Sequence, residues 1–183
     1  MHTRTDLDRT AATASASLPD DLHPLIAALA SHDVLARDHA RRMLVDMGSP
    51  AVDPLIAAIG SPSHAIRWEA AKALSEIGDL RAVPALIIAL DDVRFDVRWL
   101  AAMGLIALGE ASLIPLLVAL QHTSWDEGNL RESAHHILRT HIGGALSTIL
   151  APVVAALEGA DPSLTVPLAA YHALAVLRDG AGG

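Results

Sequence analysis

Cysteine is absent from the 183-residue chain. That excludes disulfides, thiolate nucleophiles, thiolate zinc sites and iron–sulfur clusters, and it fits a reducing cytoplasm. Aromatic residues are scarce, at 3%, which suits a core of closely packed Ala, Leu, Ile and Val. Basic residues are outnumbered, 13 Lys and Arg against 21 Asp and Glu, for a formal net charge of −8. The sign is wrong for holding phosphate backbones by counterion release, so nucleic acid is not an expected partner. Long apolar runs are missing although 52% of residues are hydrophobic. The longest, ALSTILAPVVAAL at 145–157, is interrupted by Ser147, Thr148 and Pro152, short of the roughly 18 residues a membrane span requires. No Gly-x-Ser-x-Gly turn or glycine-rich phosphate loop occurs. Residues 1–18 are polar and small, with no apolar segment of a secretory signal. We expect a disordered tail there and a flexible end at 181–183.

What the chain does have is repetition. HPLIAAL (23–29), DPLIAAI (53–59), VPALIIAL (83–90), IPLLVAL (114–120) and APVVAAL (151–157) are versions of one pattern, with prolines at 24, 54, 84, 115 and 152. A second pattern follows each: ARDHARRMLVDMG, IRWEAAKALSEIG, VRWLAAMGLIALG, LRESAHHILRTHIG and VPLAAYHALAVLRDG. Apolar residues recur at spacings of three and four in both, which marks amphipathic helices. The prolines suit the first turn of the first helix, and Gly48, Gly78 and Gly109 suit a left-handed stop after the second. Each unit is then a helical hairpin that cannot bury its apolar stripe alone, and stacking five of them can. The expectation is an all-α fold: an α-solenoid of about five antiparallel helical hairpins forming one domain over 19–180, with repeats near 20–48, 50–78, 80–109, 111–143 and 147–180.

The runs IRWEAAKALSEIGDLRAVPALIIAL and VRWLAAMGLIALG resemble HEAT repeats, in particular the short bacterial form named after phycobilisome lyases, within the wider HEAT and armadillo-like class. The resemblance extends over about residues 20–180. It implies a superhelix whose second helices line a concave surface, and a family that includes scaffolds, lyase subunits and metal-dependent hydroxylases.

Aligning the second helices on Arg37, Arg67, Arg98 and Arg131 sorts their faces at about 100° per residue. Three residues on stands Ala in all five units (Ala40, Ala70, Ala101, Ala134, Ala170), and seven on stands Leu (Leu44, Leu74, Leu105, Leu138, Leu174); these define the core. The four arginines suit a structural ladder, each guanidinium bonding loop carbonyls or an acid such as Asp33, Asp92 or Asp96. The opposite face carries Trp68, Trp99, Met103 and Ile106, flanked by Lys72, Glu132, His136, Arg139 and His172. The resemblance places that face on the groove wall. Tryptophan is a favoured interface anchor, although both rings could instead seal the seams between repeats.

Two chemical alternatives attach to the same residues. Glu132, His136 and His172 would form a two-histidine, one-carboxylate metal set if all leaned inward; otherwise Glu132 and His136, four apart on one helix, are a stabilising pair. In the HEAT-like deoxyhypusine hydroxylases, iron is held by His-Glu dipeptides at the two positions after the repeat arginine. Here those positions read Trp68-Glu69, Trp99-Leu100 and Glu132-Ser133, and the chain contains no His-Glu dipeptide. His135 points to the flank occupied by Ala71 and Ala102 and reads as a packed, hydrogen-bonded histidine. Trp125, in the inserted loop HTSWDEGN (122–129), could be a plug or a recognition element. In the fifth unit Pro167 replaces the arginine, so a helix start near Thr165, or a kink, is expected. The reading is a cytoplasmic, non-catalytic scaffold, monomeric or weakly self-associating, with no cofactor, no membrane and no nucleic acid. It binds a protein or peptide. A metal-dependent oxidoreductase or a phycobilin-lyase-like enzyme subunit is the alternative.

Overall fold

The computed structural model describes residues 22–122 and 129–180. The tail at 1–18, Trp125 and the end at 181–183 lie outside the described residues. Among those described the chain is an all-α solenoid. Its helices are α1 (Leu22–Ala28), α2 (Val34–Met47), α3 (Ser49–Ile59), α4 (His64–Ile77), α5 (Val83–Ala89), α6 (Phe95–Ala107), α7 (Leu113–His122), α8 (Leu130–His141), α9 (Leu146–Glu158) and α10 (Pro162–Gly180). Short 3₁₀ turns at Leu80–Ala82 and Gly109–Ser112 lead into α5 and α7.

Three of the repeat prolines sit in a first turn as expected, Pro24 in α1 among them, and two do not. Pro84 and Pro115 fall in the first turn of α5 and α7, whereas Pro54 and Pro152 lie inside α3 and α9. The reason is an extra turn upstream of each proline. In α5 and α7 that turn is 3₁₀, and in α3 and α9 it is α-helical, so the helix passes through the proline at the loss of one backbone bond. Gly48, Gly78 and Gly109 all adopt positive φ, between 64° and 70°, which L-residues enter only at a cost. Gly78 is the left-handed stop anticipated, whereas Gly48 has ψ −127° and departs from it.

The core follows the repeat rule. All five alanines three after the arginine position, and all five leucines seven after it, are 3% exposed or less. Second helices stack in series, α2 on α4, α4 on α6 and α6 on α8, while α1, α3, α5 and α7 form the other layer. The α4–α6 approach is especially close because of Gly104. A side chain there would come within 2.4 Å of Ser75 Oγ, which donates to the carbonyls of Ala71 and Leu100 and so ties the two helices together.

The last hairpin breaks the series. α9 packs on α8, but α10 packs on α7 and α9, so the final helix joins the layer of first helices. The proline spacing before it is 37 residues, against 30, 30 and 31 earlier. Pro167 neither starts nor caps α10. The helix begins at Pro162, five residues earlier, and Thr165 Oγ1 donates to the Asp161 carbonyl at 2.9 Å.

Candidate functional site

The four repeat arginines bind loop or helix-end carbonyls, and Arg37, Arg67 and Arg131 also bridge neighbouring repeats. Arg37, Arg67 and Arg98 each donate Nη1 to the carbonyl six residues upstream, at Ser31, Ser61 and Asp92, over 2.7–3.0 Å. Arg67 also reaches the next repeat, where Nε and Nη2 clasp the Asp92 carboxylate at 2.6 and 3.1 Å. Asp92 additionally accepts from the Arg94 backbone N–H. Burial opposes ionisation of Asp92, but the Arg67 hydrogen bonds, the Arg94 N–H and the charges of Arg67 and His64 outweigh it, holding its pKa below the ordinary aspartate value. Arg131 reaches forward instead, giving Nε and Nη2 to the carbonyls of Leu157 and Gly159 at the end of α9, groups that a helix terminus leaves without partners.

A second cationic group was hidden from sequence reasoning. Arg41 is 6% exposed and Glu69 5%. Their Nε and Oε2 lie 3.2 Å apart as an ion pair between α2 and α4, with no well-aligned hydrogen bond joining those two atoms. Arg41 also donates to Glu76 and to Asp38, and Arg37 stands 3.5 Å from the same Glu69. Burial raises the Glu69 pKa, and Arg41, Arg37 and Lys72 lower it only in part. The one available signal was that Arg41 occupies the flank position filled by Ala71 and Ala102 in the next two repeats.

Around this scaffold the second helices form two shallow clefts. The first, of about 310 Å³, is lined by Arg37, His64, Ala65, Trp68, Glu69 and Asp96. Trp68 is half-buried and packs against the core, Lys72 Nζ lies 5.0 Å from its ring centre, and His64 Nε2 pairs with Asp96 at 3.0 Å across α4 and α6. The second cleft, of about 170 Å³, lies between α6 and α8 and is lined by Phe95, Arg98, Trp99, Ala102, Glu132, Ser133 and His136. There Trp99 is 46% exposed. Its ring stacks on His136 at 5.3 Å between centroids and on Phe95 at 6.3 Å, while Arg98 caps Phe95 at 5.5 Å.

The remaining sequence candidates divide. Met103 is 42% exposed, Ile106 is half-buried against the core, and Arg139 is exposed, 3.7 Å from Glu158. Glu132 and His136 share the second cleft. His172 does not join them: it sits on α10, which packs on α7 and α9, and its ring meets Tyr171 edge-on. The assumption that failed was that the fifth hairpin docks like the other four. Among the described residues no group of three or more His, Asp or Glu side chains is placed to hold a metal ion. His135 pairs with Glu158 at 2.8 Å. No described helix is long and apolar enough to cross a membrane.

None of the curated proteins matches the chain in sequence. Among solved structures, the complex of CpcE and CpcF of phycocyanin lyase from Nostoc sp. PCC7120 matches at 25% identity and a TM-score of 0.42, over 87% of this chain and 72% of that one. That superposition is too loose to equate individual residues. The family model for HEAT repeats matches residues 22–106, the segment that holds the first three hairpins, and the same Ala and Leu positions continue buried through α8 and α10. The first three hairpins thus match the HEAT-repeat family, and the rest of the chain continues their pattern of buried positions.

Proposed function

We propose that the chain is a non-catalytic adaptor that holds a protein or peptide segment along the concave face of its second helices, with Trp99 as the anchor. The observation that carries this reading is the stacked aromatic row Phe95, Trp99 and His136 spanning α6 and α8, with Phe95 and Trp99 exposed and His136 half-buried. A large ring already fixed by stacking loses little freedom when it is covered, and such rings dominate interface energetics. Met103 adds an adaptable apolar surface one turn along α6, with Ile106 beneath it. Glu132, His136 and Arg139 supply polar selection on one side, Lys72 on the other. Trp68 is a secondary contact.

Charge supports a polypeptide over a phosphate backbone. Arg37, Arg41 and Arg67 are all held by carboxylates of this same layer, so they do not form a free basic stripe. The absence of cysteine supports a reducing, cytoplasmic setting.

Panning a displayed random-peptide library on the immobilised protein is expected to return peptides with an aromatic or branched aliphatic anchor, and these should alter the fluorescence of Trp99. Elemental analysis of the same preparation is expected to show no stoichiometric metal. A metal that is bound by the purified protein and lost in His136→Ala would contradict the reading.

A further inference from the structure

α10 is apolar on two nearly opposite sides. One side, Val166, Ala170, Ala173 and Leu174, is buried against the array. The other carries Leu164, Leu168 and Tyr171 at 74%, 59% and 61% exposure, with Ala175 exposed beyond them. A helix at the edge of a solenoid ordinarily turns a polar face outward, and a helix apolar on both sides is ordinarily buried on both. No described helix covers the outer stripe.

The stripe also has an internal symmetry. Asp161, Leu164, Leu168, Tyr171, Ala175 and Arg178 follow one another at steps of three and four, the 3.5-residue period of a two-helix seam. All six are exposed. The series is self-complementary about its midpoint between Ala169 and Ala170. Reversing it pairs Asp161 with Arg178, Leu164 with Ala175, and Leu168 with Tyr171. Large thus faces small in one layer, aliphatic faces aromatic in the central one, and opposite charges meet at both ends.

We propose that the outer face of α10 is a homodimer interface: two copies of this chain pair antiparallel across a two-fold axis between Ala169 and Ala170, with an Asp161–Arg178 ion pair at each end. Two-fold pairing is the closed arrangement open to a self-complementary patch. The helix is about 28 Å long at 1.5 Å per residue, so the contact falls at the small end of specific interfaces and the dimer dissociates on dilution. Neither Trp99 nor His136 lies on α10, so the interface is separate from the partner-binding face.

Sedimentation velocity from about 1 to 500 µM is expected to show a concentration-dependent shift from the 19.1 kDa monomer to twice that mass. Leu168→Glu with Tyr171→Glu should abolish the shift and leave helical content unchanged, since both side chains point away from the core. Asp161→Arg alone and Arg178→Asp alone should each weaken dimerisation roughly tenfold, because the two-fold duplicates every contact. Combining the two reversals should restore it, which only the antiparallel register allows. A monomer throughout the range, as an intramolecular cover over the stripe would give, overturns the proposal. So does a dimer indifferent to Leu168→Glu/Tyr171→Glu, or a double reversal that fails to recover.

Discussion

Trp68 and Trp99 occupy the same position in adjacent repeats, yet they have different neighbours and different exposure. Trp68 stands in a cleft framed by the Arg37–Glu69 pair and the His64–Asp96 bridge, half-buried, with a lysine over its ring. Trp99 stands in a cleft framed by Phe95 and His136 and remains nearly half exposed. The difference comes from what each neighbouring helix contributes. Beside Trp68, α2 brings Arg37 and Arg41, and the buried Glu69 that answers them locks α2 to α4. Beside Trp99, α8 brings Glu132 and His136, which leave the ring stacked but accessible. On the proposed reading, one repeat position serves mainly cohesion in the second unit and mainly recognition in the third.

The largest effect should come from breaking the ionic frame on the Trp68 side. Arg41→Ala leaves Glu69 buried without its main partner and is expected to cost about 3 kcal/mol in urea unfolding. Replacing the pair together, Arg41→Met with Glu69→Leu, should recover most of that loss, since apolar substitution of both partners removes the desolvation penalty with the attraction. Next come the tryptophans themselves. Trp99→Ala should weaken a selected peptide by about 2 kcal/mol with little change in unfolding, and Trp68→Ala should cost mainly stability, about 2 kcal/mol as a partly buried ring is removed, with a smaller loss of binding.

A smaller effect separates the two kinds of carboxylate. Glu69, with its folded pKa raised, stabilises fully below the ordinary glutamate range, and that contribution falls as pH rises to the shifted value. Asp92, with its pKa lowered, stabilises above the ordinary aspartate range and loses that contribution as pH falls through it. Urea midpoints measured against pH should therefore lose their decline above the glutamate range in Glu69→Gln, and part of their acid-side fall in Asp92→Asn. The smallest effect belongs to the exposed His135–Glu158 pair: His135→Ala should leave the unfolding midpoint unchanged.

The sequence carried the repeating features and missed the pairwise ones. Ala70, Leu74 and their counterparts recur at fixed offsets, so periodicity alone places them in the core, and the positive φ of Gly48, Gly78 and Gly109 follows from where each helix must stop. Arg41 and Glu69 lie 28 residues apart on different helices, and only the register between α2 and α4 reveals that they meet. His172 was misplaced for a related reason. Its offset within the repeat is correct, but α10 docks on α7 and α9, so an equivalent position no longer means an adjacent one. Trp68 and Trp99 read identically along the chain, and the side chains across the seam are what separate them.

Calorimetric titration of one selected peptide into wild type, Trp99→Ala and Trp68→Ala, with the unfolding free energy of each protein measured in the same buffer, tests the central claim most directly. The account predicts a roughly thirtyfold loss of affinity in Trp99→Ala at near-wild-type stability, and a smaller loss in Trp68→Ala accompanied by destabilisation. Undiminished binding by Trp99→Ala, or a loss that merely follows its unfolding, would contradict it.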